Sequence, residues 1–366
     1  METGRILGLD AFEREAARAT ASIAVPRPTP MLHDIWRRAC ARGLNARGAF
    51  EVVAARDGER SIAAAVFARR RAAFAPHLFL LGAEDLWEPA DVLYENARGA
   101  SALAEAVLER GLPVRFGHFP ADSLFVAALK DKCSGKALLI ADPVPGSPFI
   151  RLDESWREPE KKFNSRRQGD FRRMRRKAEG MGAVAADILA PRAGDVDALL
   201  EEAIAVEAGG WKARSRSALA YDEKAGAFFR EYARLASEAG ILRLAFLRIA
   251  GKAAATQIAV ECDNAFWLLK IGYDDAYKDC SPGNLLMLET VRRAAGLGLS
   301  TFEFLGKAAP WTSIWTEEER PNIRLRIYPF NPAGVAAIAI DGAGAAARRA
   351  STFIQSKLSR KHAQIA

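Results

Sequence analysis

Apolar residues recur at two spacings along this chain: every second residue in short runs, and every third or fourth residue in longer ones. The first spacing predicts strands and the second predicts helices. Near the start, Phe50–Ala55 turns at Asp57-Gly58 into Ile62–Ala68, which predicts a hairpin. Further predicted strands are Leu78–Leu81, Val114–Phe116 and Ala137–Ile140, and predicted helices are Ser101–Arg110 and Asp122–Lys132. Since this α/β pattern contains no recognisable phosphate loop, we expect a binding half or a degenerate repeat here.

The part of the chain after residue 183 mixes the same two spacings in the predicted order β-α-α-β-β-β-α-β-α-β. Its strands are Val184–Leu189, Leu242–Ile249, Ala254–Cys262, Phe266–Ile271, Thr301–Leu305 and Ile323–Tyr328, and its first two helices are Asp195–Ala208 and Glu223–Ala239. Tight turns at Gly251-Lys252 and Asp263-Asn264 join the central strands. We therefore predict a protein of the α/β class with a mixed sheet.

Segments of unusual composition divide the chain. Asp142–Pro148 contains three prolines and predicts a turn-rich linker. Ala333–Ala347 is rich in alanine and glycine and too weakly apolar to span a membrane, so it predicts a packed C-terminal helix. The predicted regions are an N-terminal domain 1–150, a connecting helix 151–182, a C-terminal domain 183–332 and a helical tail 333–366.

The net charge of +8 is concentrated in the predicted connecting helix. Nine Lys or Arg and two acidic residues lie between Lys161 and Gly180, which is a local excess of 9 − 2 = +7. Phe171, Met174 and Ala178 give this segment a narrow apolar stripe, so we predict a basic amphipathic helix. It could be a solvated helix between domains, or a surface for an acidic substrate, cofactor phosphates, anionic lipid or nucleic acid.

The cysteines and histidines give no support for a metal site. The four cysteines are Cys40, Cys133, Cys262 and Cys280, and no two have the spacing of a metal or redox motif. We therefore expect free thiols and no metal. Because Met1–Thr20 is charged and lacks a continuous apolar core, it does not resemble an export signal, and we expect a cytoplasmic protein.

One predicted helix begins in a way that suits an anion. Ser281 is a favourable N-cap residue, Pro282 suits the first helical position, and Gly283 has no side chain to keep a ligand away from the backbone. Free amides at such a helix start can hold a phosphate. Since Leu285, Leu288 and Val291 recur at helical spacing, one face of this helix is predicted to pack.

Together, these elements resemble the GNAT acyltransferase family, over roughly residues 45 to 330. The resemblance is to the CelD-like branch, which is associated with polysaccharide biosynthesis and distantly related to the FemAB aminoacyl transferases. It rests on the order of the elements and on an ordered set of motifs. These are the basic helix with Arg167, Arg172, Arg173 and Arg176, then Gly210-Trp-Lys212, Leu268-Leu-Lys-Ile-Gly-Tyr-Asp274, Ser281-Pro-Gly283 and Phe302-Glu-Phe-Leu-Gly306. The resemblance implies two tandem GNAT-like domains, with the acyl-CoA site in the C-terminal one.

The resemblance also implies roles for particular residues in acyl transfer from a CoA thioester to an amine. The backbone of the fourth strand, which splays from the fifth, would pair with the pantetheine arm, and the helix start would hold the pyrophosphate. The cofactor-binding candidates are Leu269, Lys270, Ile271, Ser281, Gly283, Asn284 and Leu285. The candidates for the proton acceptor or donor are Glu303, Asp274, Tyr273 and Tyr277, and the substrate-binding candidates are Trp211, Lys212, Lys307 and Trp311.

Two departures from the family pattern concern catalysis. Relatives usually carry an aromatic residue followed by lysine after the Phe-Leu-Gly strand, whereas this chain has Trp311-Thr312. If that lysine handles substrate, its role is vacant here or is taken by Lys307. The more familiar glycine-rich pyrophosphate signature of GNAT enzymes is also absent.

The sequence therefore predicts an acyl-CoA-dependent N-acyltransferase that uses acetyl-CoA or another acyl-CoA and no metal. The expected acceptor is an amino group of a sugar or polar metabolite, with polysaccharide biosynthesis as one context. One alternative is a FemAB-like transferase that uses aminoacyl-tRNA, which the basic helix would suit. The other is a noncatalytic accessory protein that keeps the fold to bind a nucleotide, a polysaccharide precursor or a partner.

Overall fold

The structure is a computed structural model that describes residues 7–45, 47–72, 75–210 and 219–343. The strands of the N-terminal half are β1 Ala49–Asp57, β2 Arg60–Ala72, β3 Ala75–Leu80, β4 Leu93–Tyr94, β5 Val114–Pro120 and β6 Ala137–Arg151. Its α-helices are α1 Leu9–Thr20, α2 Asp34–Ala39, α3 Ala83–Leu86, α4 Ala97–Leu108 and α5 Leu124–Lys132.

The C-terminal half begins with the basic helix. Its helices are α6 Ser165–Glu179, α7 Val196–Ala208, α8 Glu223–Glu238, α9 Pro282–Gly296 and α10 332–343. Its strands are β7 Val184–Leu189, β8 Leu242–Ile249, β9 Lys252–Cys262, β10 Ala265–Tyr273, β11 Thr301–Glu303 and β12 Glu319–Pro329. Short 3-10 or π turns lie at Pro30–Leu32, Cys40–Leu44, Glu154–Arg157, Pro159–Lys162 and Asp275–Cys280.

The strands in the described ranges form one mixed sheet, so the predicted α/β class is confirmed. The strand order is β1-β2-β3-β5-β12-β6-β11-β10-β9-β8-β7, and β4 pairs with β2. In each half, three consecutive strands form an antiparallel meander, and a crossover through a helix then adds a parallel strand. The parallel pairs are β3 with β5 and β10 with β11. This shared topology gives the molecule two tandem halves of similar design.

The final strands of the two halves are interleaved. β12, the last strand in the chain, pairs antiparallel with β5 and with β6, both of which come from the N-terminal half. β6 in turn pairs through Phe149–Arg151 with β11 of the C-terminal half. The two halves therefore share strands, and the predicted domain limits at 150 and 332 stay a prediction.

The predicted linker Asp142–Pro148 is wrong, because this segment lies inside the 15-residue strand β6. β6 pairs with β12 on one side, while its described partner on the other side, β11, reaches only Phe149–Arg151. Proline has no amide hydrogen, so a strand tolerates it where no neighbouring strand would accept a hydrogen bond from that position. The edge of β6 that faces away from β12 meets this condition over Ala137–Pro148. A register shift in β12 between Arg320 and Asn322 also relaxes the ladder beside the prolines.

The hairpin turns are nearly as predicted. Asp263 and Asn264 both have positive φ, of 54° and 58°, as a two-residue hairpin turn requires. In the preceding hairpin the positive φ angles belong to Ala250 and Gly251, so that turn begins one residue earlier than predicted.

The buried side chains also connect the two halves. The rings of Phe228 and Tyr232 on α8 each lie 4.9 Å from the ring of Trp36 on α2, within a cluster that continues across both halves. On the opposite face of the C-terminal sheet, Phe266 and Leu268 belong to a second cluster that contains the apolar face of α9. Successive side chains of β10 therefore pack into different hydrophobic clusters. No helix in the described part of the chain has the length and apolar character needed to span a bilayer.

Candidate active site

The candidate site begins where β10 and β11 separate. These parallel strands pair only through Ala265–Trp267 and Thr301–Glu303, whereas β10 continues to Tyr273. After Glu303 the chain stays beside β6, because the amide of Phe304 donates to the carbonyl of Pro148 at 3.0 Å. The predicted splay of the fourth and fifth strands is therefore present at Leu268.

A β-bulge marks the same point on the other edge of β10. The register of β10 against β9 shifts between Leu268 and Lys270, so Leu269 is the extra residue. A bulge bends its strand and increases the local twist. The bulge therefore accounts for the direction in which β10 leaves β11.

A cavity of about 230 Å³ lies at this separation. Its lining contains Leu268, Leu269, Lys270 and Ile271 from β10 and the segment after β11. The rest of the lining is Leu86, Trp87, Glu88, Phe304, Gly306 and Trp311. Since Leu86–Glu88 belongs to the N-terminal half, both halves form this cavity.

Glu88 is the acidic group of the cavity, and the sequence patterns did not single it out. It is buried, and its Oε2 accepts a hydrogen bond from the amide of Gly306 at 3.2 Å. Burial raises the pKa of Glu88 to about 7, whereas the charge of Lys270 and the Gly306 hydrogen bond act in the opposite direction. No sequence signal marks this residue, because the contact with Gly306 joins positions 218 residues apart.

Strained backbone lies immediately before both partners of this hydrogen bond. Trp87 and Leu305 each have a φ of 58°, in the left-handed region that is unusual for residues other than glycine. Such conformations persist only where surrounding contacts hold them, and they collect at functional sites. Here the Gly306 peptide is held from both sides, because Ser147 Oγ donates to its carbonyl at 3.1 Å.

Aromatic side chains form much of the cavity wall. The ring of Trp311 packs edge-on against that of Phe304, with centroids 5.7 Å apart. Trp87 stacks on His118 at 5.1 Å, and burial lowers the pKa of His118. The Nζ of Lys270 lies 5.4 Å from the ring centre of Phe229. The wall is therefore mainly apolar with one carboxyl and one amine, as is typical of small-molecule sites.

The start of α9 differs from the predicted N-cap geometry. Ser281 adopts the left-handed conformation, with φ of 47°, and its side chain does not cap the helix. Its carbonyl accepts from the amides of Asn284 at 3.0 Å and Leu285 at 3.4 Å. Among the described contacts this leaves the amide of Gly283 as the unbonded donor of the first turn, since Pro282 has none.

Space for a ligand does exist beside that amide. A Cβ placed on Gly283 would meet no heavy atom within 4 Å. Leu285 is buried, so its side chain belongs to the core of α9. The predicted cofactor role of Gly283 therefore has room in this structure, while that of Leu285 would have to use its backbone.

The basic helix α6 packs against the same region. It contacts α9 and the turn Asp275–Cys280 that leads into it. Arg175 pairs with Glu289 of α9 at 2.7 Å, and Arg173 pairs with Asp170 at 2.9 Å. Within α6, the exposed basic residues that form no ion pair with any described acid are Arg166, Arg172, Arg176 and Lys177. The excess positive charge thus lies beside the start of α9.

The predicted catalytic residues have other partners in this structure. Glu303 is 2% exposed and forms a two-point ion pair with Arg320, whose Nε donates at 2.9 Å and Nη2 at 2.5 Å. Asp274 accepts from the amide of Ala276 at 2.9 Å, which caps the following turn. Tyr273 and Tyr277 pack against the core cluster around α9. Their catalytic roles stay predictions.

The predicted substrate-binding residues are divided. Trp311 lines the cavity and Lys307 is exposed on the loop after Gly306. Trp211 and Lys212 lie outside the described residues. Thr312, at the position where relatives have lysine, is buried, and its hydroxyl donates to the carbonyl of Ala309 at 2.8 Å.

The cysteines are unpaired, as expected. The fold nevertheless brings together three groups that sequence spacing kept apart. Ligand atoms of His33, Cys262 and Asp263 lie within 4.8 Å of one another. The Nε2 of His33 lies 2.8 Å from the carboxylate of Asp263, so these two groups form a polar contact between the halves.

Comparison with known proteins finds a similarity to one protein family within the C-terminal half. Residues 164–313 match an acetyltransferase (GNAT) domain. The matched segment runs from the N-cap of α6 to the loop that carries Trp311, so it contains α9, the strand separation and the bulge. No curated protein matches the chain at a significant level.

Solved structures with little sequence identity share the fold over nearly the whole chain. The C-terminal DUF2156 domain of a putative lysylphosphatidylglycerol synthetase from Agrobacterium fabrum superposes with a TM-score of 0.55 at 11% identity, covering 90% of this chain and 96% of that one. FemX superposes with a TM-score of 0.54 at 10% identity, covering 90% of this chain and 98% of that one. A conserved protein of unknown function from Bacteroides thetaiotaomicron gives 0.54 at 10%, covering 89% and 99%. The N-terminal half is therefore part of a shared two-half architecture.

Proposed function

We propose that this protein is an N-acyltransferase that moves an acyl group from acyl-CoA to an amine. The observation that carries this proposal is the cavity at the separation of β10 and β11, within a matched GNAT domain. Backbone groups of Leu268, Leu269 and Lys270 adjoin this opening and would bind the pantetheine arm as an added strand does. The thioester would then lie among the cavity residues.

The charges around the start of α9 also support acyl-CoA as the acyl donor. The amide of Gly283 has open space beside it, and the basic helix α6 packs against α9 and the turn that precedes it. Phosphates are favoured both at a helix start and beside clustered arginines. We infer that the CoA phosphates lie between the first turn of α9 and α6.

The size of the cavity favours a short acyl chain. About 230 Å³ is less than the roughly 300–1,000 Å³ of pockets that enclose drug-sized ligands. The cavity therefore holds the thioester end and part of an acceptor, and acetyl-CoA is the proposed donor. The proposed acceptor is an amino group of a sugar or polar metabolite, and the CelD-like branch with its polysaccharide context belongs to this proposal.

The test of this function is ligand-induced stabilisation. Acetyl-CoA should raise the melting temperature by mass action, and Gly283→Glu should remove that shift because its carboxylate would occupy the phosphate position. Gly283→Ala is the uncharged comparison, since its methyl group meets no protein neighbour, and it should reduce the shift less than Gly283→Glu does. If no acyl-CoA shifts the melting temperature of the folded wild-type protein, the acyl-CoA function is wrong.

The exposed arginines of α6 also support a second candidate, transfer from aminoacyl-tRNA. In that case tRNA would bind at physiological ionic strength with steep salt dependence, and charge reversal at Arg172 and Arg176 would abolish binding. Binding of tRNA without any acyl-CoA shift would favour this candidate. Binding of neither would favour the noncatalytic accessory protein.

A further inference from the structure

We propose that Glu88, which comes from the N-terminal half, accepts the proton of the amine that attacks the thioester. This inference rests on the proposed acyl transfer in the cavity between β10 and β11. It assigns a chemical task to the half that the GNAT match does not cover.

Position is the first argument. Glu88 lines the same cavity as Leu268, Leu269 and Lys270, where the thioester is proposed to lie. A base must come within hydrogen-bond reach of the amine, directly or through one water. Glu88 is the carboxylate among the residues that line this cavity, whereas Glu303 and Asp274 do not line it.

Availability is the second argument. Glu303 is held by two hydrogen bonds from Arg320, and Asp274 caps a turn. Within the described residues, Glu88 accepts only from the Gly306 amide and forms no ion pair. One carboxylate oxygen therefore fixes the side chain, and the other is free to accept a proton.

Burial makes Glu88 a base near neutral pH. Burial raises its pKa to about 7, and Lys270 on β10 prevents a larger rise. Two other ionisable groups pack near it through Trp87. Arg324 on β12 lies 5.6 Å from the centre of that indole, and His118 on β5 stacks on it with a lowered pKa. His118 is neutral above its lowered pKa. Asp91, three residues further along the chain, has a pKa raised by burial to about 6, so it ionises below the pKa of Glu88.

The reaction balances with this assignment. The neutral amine attacks the thioester carbonyl, a C–N bond forms, and the C–S bond breaks as the CoA thiolate leaves. The proton on the attacking nitrogen passes to ionised Glu88 and from there to the thiolate or to water. The products are the amide and CoA thiol, and no other reactant is needed.

The test compares Glu88→Gln with wild type by thiol release from acetyl-CoA, across a panel of amino sugars, amino acids and polyamines. The Gln side chain can still accept the hydrogen bond from the Gly306 amide, but it cannot take a proton from the amine. We expect acetyl-CoA to raise the melting temperature of the Gln variant as much as it raises that of wild type. Turnover should fall by roughly a hundredfold or more, and the rise in rate between pH 6 and 8 should be lost. Glu84→Gln, on the preceding turn and outside the cavity, is the matched control and should leave the rate and its pH profile unchanged.

Two results have different meanings. If the Gln variant turns over normally with the wild-type pH profile, Glu88 only anchors Gly306 and the inference is overturned. If acetyl-CoA does not raise the melting temperature of the wild-type protein, and no acceptor leads to thiol release, the proposed function itself is overturned. The proposed role of Glu88 is then overturned as well.

Discussion

At the scale of the residue, Glu88 illustrates how a carboxyl buried without a counter-ion links stability to pH. Its pKa rises from about 4.5 in the unfolded chain to about 7 in the fold, so the folded state binds its proton more tightly. Between these values the unfolded state releases the proton first. Stability contributed by this group is therefore full below about pH 4.5 and falls as pH rises toward 7.

Glu88→Gln should remove this dependence. The rise in the pKa of Glu88 from 4.5 to about 7 corresponds to a cost of about 3 kcal/mol above pH 7. We expect the Gln variant to be more stable than wild type at pH 8 and to lose that advantage at pH 4.5. Urea unfolding of both proteins at the two pH values measures the difference. An equal difference at both values would contradict the raised pKa.

At the scale of the element, close backbone contact fixes β10 against α7. A Cβ on Gly272 would lie 2.6 Å from the Cα of Glu207, which belongs to the helix backbone and cannot rotate away. The bulge at Leu269 and this contact at Gly272 together determine where β10 leaves β11. The geometry of the cavity thus depends on a glycine that does not line it.

Gly272→Ala should therefore destabilise the protein, by about 1–3 kcal/mol, as overpacking generally does. Gly283→Ala adds the same methyl group to open space and should be neutral or stabilising by up to about 1 kcal/mol. Chemical denaturation of both variants provides the comparison. Equal stability of the two alanine variants would show that α7 moves freely away from β10.

Individual strands and helices also differ in how well the sequence patterns predict them. β7 and β8 have the predicted bounds, because turns flank them and their apolar runs are unambiguous. The inner part of β6 was missed, because its prolines favour a turn locally and only its neighbours make it a strand. The α9 start was found from Pro282 and Gly283, whereas the left-handed Ser281 depends on the preceding turn. Glu88 could not be found, since its meaning comes from a cavity formed by distant segments.

At the scale of the whole molecule, the interleaved strands make the halves dependent on each other. Removal of β12 would leave facing edges of β5 and β6 without a partner, and the shared core would lose Leu325 and Ile327. Unpaired strand edges and exposed apolar faces promote aggregation. The proposed site also needs both halves, because Glu88 and Lys270 come from different ones.

A fragment of residues 1–182 should therefore aggregate when expressed alone. Co-expression with residues 183–366 should give a soluble complex, because β12 can then insert between β5 and β6. Size-exclusion chromatography of the two preparations distinguishes these outcomes. A monomeric, cooperatively unfolding 1–182 fragment would show that β12 is dispensable for the N-terminal half.

The position of β12 in the chain has a consequence for biosynthesis. β5 and β6 leave the ribosome about 170 residues before β12 does, so the gap between them stays open while the whole C-terminal half is translated. At translation rates of about 5–20 residues per second, that interval lasts roughly 8–34 s. The nascent N-terminal half must therefore be protected from neighbouring chains, by a chaperone or by a temporary pairing of β5 with β6, until the last strand arrives to separate them.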